Sequence, residues 1–334
     1  MVPNSRIVAE GENKVSATPA RAIRDASSVD NRRPSITTSL APVPSPPQRR
    51  SVSALVTTHN EAARLRECLE SLTWCDEILV VDSYSTDDTV AIALSFPQVR
   101  VLQRPYYGGA SQKNWAIDRL RHDWVLILDA DERVTSELRL ELERVLAAGQ
   151  PASAYAIARR TFSLGERIRF SGWQNDRVVR LFRRDAARYP NRRVHADMQT
   201  IEPPVNLEAP IDHHMVDDLV EYLGRQHRYS WWGAAQLWRD GRRAGAWEVM
   251  IRPLWRFIRT YVVQLGVLEG VRGFVMCALQ AYGAFGKYAL LWSWDRDARR
   301  GRLPHLPDFD DDASTWTWPA ETDRTYDERF SATR

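Results

Sequence analysis

From residue 51 onward the chain alternates between short apolar runs and apolar stripes at helical spacing. Val52–Thr58, Glu77–Val81, Val99–Leu102 and Trp124–Leu128 are runs bounded by polar residues. They are too short for helices and continuous enough to be strands buried on both faces. Between them, Leu65, Cys68, Leu69 and Leu72 recur at helical spacing. Thr86, with Asp87 and Asp88 behind it, starts a second helix that Pro97 closes, and Ser111 is placed to cap a third. Residues 136–148 form an amphipathic fourth. Strand and helix in alternation, with short connections, predict an α/β fold with a mostly parallel, doubly wound sheet. Ala154–Phe162 and Arg177–Phe182 read as further strands, and the chain turns helical from Asp217.

The strand ends change the picture. Thr57 and Thr58, then Asp82, then Asp129 and Asp131 close three of these strands, at the carboxyl edge where open α/β sheets bind ligands. A dinucleotide site would put G-x-G-x-x-G after the first strand and a P-loop would put Gly-Lys-Ser/Thr there. The first strand instead runs into Thr57-Thr-His-Asn-Glu61. A calcium loop starting at Asp129 would require Gly at 134 and Glu at 140, where the chain has Val134 and Leu140. What remains is a divalent cation with few protein ligands, completed by substrate phosphates, as Mg²⁺ or Mn²⁺ is usually held.

Four blocks carry a resemblance: Val52–Glu61, Ile78–Thr89, Gly109–Asn114 and Ile127–Glu132. In that order they resemble family 2 glycosyltransferases of the GT-A fold. The resemblance implies inverting transfer of a sugar from a nucleotide-sugar, usually a UDP-sugar such as a UDP-hexose, with Mg²⁺ or Mn²⁺. By position it implies that Thr57, Asn60, Glu61 and Asp82 hold base and ribose. Lys113 would approach the diphosphate, and Asp129 and Asp131 would manage the metal and the donor sugar. Inverting transfer needs a group to take the acceptor's proton. The lipopolysaccharide-core branch, which the chain resembles most, has Val-His-Glu here, whereas this chain has Val194-His195-Ala196 followed by Asp197. Asp197 is the candidate base and Asp176 the fallback. His213 and His214, adjacent on one segment, point to opposite sides and are expected at a loop-to-helix junction rather than as joint ligands.

Composition bounds the rest. With 334 residues, 44% hydrophobic and 27% charged, the chain has room for a sizeable core. Net charge is +3, and no recognition motif accompanies the Arg and Trp clusters, so nucleic acid is not an expected partner. Cys68, Cys75 and Cys277 have no metal-ligand spacing and are expected to be reduced thiols. Residues 1–50, rich in Ser, Pro, Ala and Arg and without an apolar leader, are expected to be a disordered tail. The catalytic domain is expected over 51–215, a helical membrane-associated extension over 216–300 and a loosely ordered tail over 301–334.

In the extension, Trp247, Met250, Leu254, Trp255, Ile258 and Val262 mix with Arg252, Arg256 and Arg259, as in helices lying in a membrane interface. Residues 275–291 are interrupted by Gln280 and Lys287, which favours a surface-lying or partly embedded helix over a crossing. A cytoplasmic enzyme, peripheral on the inner face of the membrane and acting on a lipid-linked or lipopolysaccharide-core acceptor, is the expectation. Two alternatives stay open: a polyprenyl phosphate acceptor, which would need little base assistance, and an inactive membrane-bound scaffold.

Overall fold

The computed structural model describes residues 49–190, 197–216 and 218–302. The first half runs β1 (Val52–Thr58), α1 (Ala62–Ser71), β2 (Glu77–Asp82), α2 (Thr89–Leu94), β3 (Val99–Gln103), α3 (Gly109–Ile117) and β4 (Trp124–Asp129). It continues through β5 (Glu132–Val134), α4 (Ser136–Ala147), β6 (Ala154–Ser163), β7 (Glu166–Arg167), β8 (Arg177–Arg183) and β9 (Ala187–Arg188). Three short or late strands follow, β10 (Gln199–Thr200), β11 (Val205–Asn206) and β12 (Ile211–Val216). The helices α5 (Leu219–Arg239), α6 (Ala246–Ile258) and α7 (Gly270–Ala298) complete the described chain. A π-helical turn (Arg259–Val263) and a 3-10 turn (Gly266–Glu269) join α6 to α7.

The main sheet has the order β3-β2-β1-β4-β8-β6-β12-β5. Its first four strands are parallel. β8 enters antiparallel to both β4 and β6, and β12 then runs parallel to β6. The expected parallel sheet is therefore the half that carries the polar strand ends, and the second half is mixed. Residues of the central strands are buried on both faces. Ala54, Val56, Leu126 and Leu128 pack with Leu65, Leu69, Leu138 and Leu142 on one side. Leu55, Val125 and Ile127 pack with Ala116, Ile117 and Phe182 on the other. Period-two alternation thus fills two cores, one on each face of the sheet. The three cysteines are buried and unpaired, as expected.

Two local expectations are corrected. Ser111 does not cap α3, which begins at Gly109 after Gly108 at φ 105°, a conformation that suits glycine. His213 and His214 are not at a loop-to-helix junction; they lie within β12, because pairing with β5 on one edge and β6 on the other extends that segment. Their side chains do take opposite directions: His213 reaches Asp131, while His214 stacks on Phe162 at 5.0 Å.

Candidate active site

Register brings the three polar strand ends together. Thr57 is paired with Asp129 across β1 and β4, and Thr58 with Asp82 across β1 and β2. The loops after β1 and β2 are then laced to each other. Asn60 adopts a left-handed φ of 55°, and its Oδ1 accepts from Thr86 N at 2.8 Å. Asn60 N donates to Ser85 Oγ and Glu61 N to Thr89 Oγ1, each at 2.8 Å. Asp82 is fully buried; its carboxylate accepts from Ser85 N and from Gln103 Nε2, both at 3.0 Å, and from the Ser85 hydroxyl. It shapes the turn over 83–85. Glu61 accepts from Arg64, which also forks onto Glu221 at the start of α5.

The chain turns sharply after β4, since β5 leaves β4 to pair with β12. Asp129, Ala130 and Asp131 make that turn. Asp129 is gripped from both sides, with Lys113 Nζ 2.7 Å from Oδ1 and Arg180 Nη2 2.7 Å from Oδ2. Arg180 also holds the fully buried Glu132, whose other oxygen accepts from Asp129 N at 3.1 Å. Burial opposes ionisation of Asp129, yet Lys113 and Arg180 outweigh it and hold the carboxyl well below its ordinary range. Asp131 has different company. Its Oδ2 lies 3.6 Å from His213 Nε2 and 3.9 Å from Arg225 on α5. Burial works against a charged His213, but Asp131 outweighs that and raises the imidazole above its ordinary value.

Among the described residues, no group of three or more His, Cys, Asp or Glu gathers as a ready cation nest. The donor set nonetheless suits one small divalent ion. Both oxygens of Asp129 are engaged by cations at 2.7 Å, whereas Asp131 meets His213 and Arg225 only at 3.6 and 3.9 Å, so its carboxylate could hold the ion with substrate oxygens or water and His213 would position that carboxylate. Three buried polar atoms here lack a partner among the described residues: Thr58 Oγ1, Gln112 Oε1 and Arg180 Nε. Gln112 Nε2 reaches Ser83 Oγ and Arg104 O, which places it at the same edge.

The sequence profile of the family described as "Glycosyl transferase family 2" matches residues 53–200. The lipopolysaccharide core biosynthesis glycosyltransferase LpsC of Rhizobium meliloti (strain 1021) is 30% identical over 255 residues, spanning 72% of this chain and 93% of LpsC. The chain belongs to glycosyltransferase family 2. An uncharacterized glycosyltransferase of Rickettsia typhi is 26% identical over 259 residues, covering 72% of this chain and 87% of that one. Among solved structures, S. aureus TarS 1-349 in complex with UDP-GlcNAc aligns at TM-score 0.40 and 14% identity, covering 75% of this chain and 92% of that one.

The glycosyltransferase has the expected α/β GT-A architecture, and its site draws on more of the chain than the four sequence blocks. Arg180, His213, Arg225 and Glu132 were not among the sequence candidates. Arg180 left one trace, a charged residue at the centre of a strand whose other interior positions are apolar, where an unpaired charge would not survive burial. Arg225 left none, since it lies 94 residues after Asp131 on a helix. The two candidate bases differ. Asp197 is exposed just before β10. Asp176 is tied to Arg159 at 2.7 Å, and Arg159 stands 3.6 Å from Glu132. Val194, His195 and Ala196 lie outside the described residues.

Proposed function

We propose that the enzyme is an inverting transferase that moves a hexose from UDP-hexose, with Mg²⁺ or Mn²⁺, to a lipopolysaccharide-core or other lipid-linked glycan. One observation carries this reading: Thr57, Thr58, Asp82 and Asp129 end three adjacent parallel strands, with the cations Lys113 and Arg180 closed on the last of them. In this reading Thr57, Asn60, Glu61 and Asp82 form the nucleoside end. Asp82 acts by holding the 83–85 turn in shape, and Thr58 Oγ1 and Gln112 Oε1 supply open polar atoms.

Lys113 and Arg180 face the diphosphate, exchanging part of their hold on Asp129 for its oxygens. Asp131 would hold the metal, positioned by His213, with Asp129 beside it orienting the cations and the donor sugar. Bound there, a divalent ion would offset the charge that grows on the diphosphate as it leaves. The acceptor hydroxyl oxygen bonds to the anomeric carbon from the face opposite the diphosphate. As that bond forms, the bond to UDP breaks with its electron pair, and a carboxylate takes the hydroxyl proton. Asp197 is assigned that proton because its carboxylate is exposed, whereas Asp176 is already engaged by Arg159.

Likeness to LpsC along 93% of its length supports a lipopolysaccharide-core acceptor. The test is a panel of nucleotide-sugars read by UDP release, with lipopolysaccharide-core and lipid extracts as acceptors. Acceptor-stimulated, metal-dependent UDP release supports the reading, and a panel with no release from any donor opposes it.

A further inference from the structure

Helix α5 packs on both sides. Asp218 caps its start, accepting from Glu221 N at 3.0 Å. One side is turned to α7: Tyr222 is buried with Met276, and Ser230 Oγ donates to Gly283 O at 2.9 Å. Glu221, Arg225, Arg228 and Trp232 recur at i, i+4, i+7 and i+11, which puts them on another single stripe. That stripe meets the carboxyl edge of the sheet. Glu221 is held by Arg64 at 2.9 Å, and Arg225 lies 3.9 Å from Asp131. Arg228 acts on His59: burial holds that imidazole below its ordinary value, Asp82 and Ser83 O pull it up, and Arg228 adds to the lowering. Trp232 stacks on Tyr106, in the loop between β3 and α3, with centroids 6.0 Å apart.

The Trp232 end of the stripe reaches the turn after β2. The Tyr106 loop is fastened there, since Arg104 N donates to Asp82 O at 3.0 Å. Gln112 Nε2 then spans Arg104 O and Ser83 Oγ at 3.2 and 3.1 Å. Gln112 is fully buried, yet its Oε1 has no partner among the described residues. Thr58 Oγ1, on the residue paired with Asp82, also lacks one among them. Two buried polar atoms thus wait at this end of the edge, where an unsatisfied group is costly.

The rings beside them stay open. A separation of 6.0 Å lies toward the wide end for an aromatic pair, and Tyr106 keeps 38% of its surface exposed. Tyr229 meets Trp232 edge-on at 5.8 Å and is half-exposed. Neighbouring aromatics left open at the rim of a charged cleft suit a flat ligand. The cations on the stripe suit an anionic one. Arg225 and Trp232 are seven residues apart, about 10 Å along the helix, which is the reach from a diphosphate to the base of an extended nucleotide.

We propose that α5 roofs the donor site: Trp232 and Tyr106 form the wall on which the donor's nucleobase stacks, and Arg225 faces its diphosphate. The proposal rests on the nucleotide-sugar reading above and adds that a C-terminal helix carries donor affinity. The base turns its flat face to the rings, and its polar edge meets Thr58 and Gln112.

The experiment is calorimetric titration of UDP and, separately, of inorganic pyrophosphate into the enzyme with Mn²⁺, with a thermal melt of each variant. Trp232→Ala is expected to weaken UDP binding by about 5- to 100-fold and to leave pyrophosphate affinity unchanged. Trp232→Phe, which keeps a flat ring, should retain most of the UDP affinity. Tyr106→Ala, on a loop rather than the helix, should weaken UDP in the same selective way while melting like the wild type. UDP affinity unchanged in both alanine variants would overturn the inference and leave the donor reading standing. Equal losses for UDP and pyrophosphate would also overturn it, by giving the rings a purely structural role. A wild type that binds no UDP would overturn the donor reading and the roof with it.

Discussion

Lys113 Nζ stands 2.7 Å from Asp129 Oδ1 while Arg180 closes on the other oxygen at the same distance. One carboxylate at the end of β4 is thus clamped between two buried cations. Without donor, the aspartate keeps those cations in place in a poorly solvated site. With donor, a diphosphate would compete for the same charges. Lys113→Gln should therefore lower kcat/KM for UDP-sugar by about 10²–10³, the usual loss when one preorganised group is withdrawn from developing charge. The fold should survive, because Arg180 still pairs Asp129. Arg180 is a poorer test: removing it takes the close cation from the buried Glu132 and leaves Asp129 with Lys113 alone, at a cost of roughly 3–5 kcal/mol. Steady-state UDP release by Lys113→Gln decides the point, and an unchanged kcat/KM would leave this lysine a purely structural role.

Asp131 and His213 lie within 3.6 Å and are held by neighbouring backbone, His214 N donating to Asp131 O at 2.8 Å. If Asp131 holds the cation and His213 positions it, Asp131→Asn and His213→Ala should each raise the Mn²⁺ concentration giving half-maximal UDP release, by about 10–100-fold. Metal titrations of activity measure this directly. A metal response like the wild type's in both variants would move the ion elsewhere.

The proton acceptor can be separated from its fallback. Asp197→Asn should cut turnover by about 10²–10⁴-fold while UDP affinity is retained, as expected for loss of a general base. Asp176→Asn breaks a pairing with Arg159 and should cost about 1–2 kcal/mol of stability, with a smaller effect on turnover. Single-turnover kinetics with thermal melts compare the two, and the reverse ranking would reassign the base to Asp176.

The opposite edge of the sheet makes a stability prediction. Glu77 begins β2, nearly fully buried, and accepts from Ser53 Oγ at 2.6 Å, Arg100 Nη2 at 2.8 Å and Arg121 N at 2.7 Å. Burial opposes its ionisation, but those bonds prevail and hold its pKa below 4.5. Folding therefore gains from Glu77 above pH 4.5, and the gain is lost as pH falls through the lowered folded value. Glu77→Gln should be less stable than wild type by about 2 kcal/mol at neutral pH, with the difference shrinking well below pH 4.5. Thermal unfolding at the two pH values tests it, and a pH-independent difference would exclude Glu77 from the acid transition.

The donor edge was legible in the sequence because it rests on local patterns. Continuous apolar runs named β1, β2 and β4, and each ended in its polar residue where register later aligned them. What escaped was everything brought in from far along the chain. In sequence His213 is half of a histidine pair, and strand geometry forbids the two from sharing an ion; in the structure they do take different partners, Asp131 and Phe162. What that geometry leaves unaddressed is β12 running beside the Asp129–Asp131 turn, which gives His213 an aspartate partner instead. Arg180 and Arg225 arrive by strand insertion and by helix packing, and neither event has a local signature. Ser111 failed as a cap because Gly108 had already turned the chain into α3.

The central claim is that Asp131 and its neighbours form a metal-supported diphosphate site. Calorimetric titration of UDP into the enzyme, with Mn²⁺ and then with a chelator, tests it most directly. Wild type is predicted to bind UDP with Mn²⁺ at least about tenfold more tightly than without, and Asp131→Asn to lose that difference. UDP binding indifferent to Mn²⁺, or a metal effect that survives in Asp131→Asn, would contradict the account.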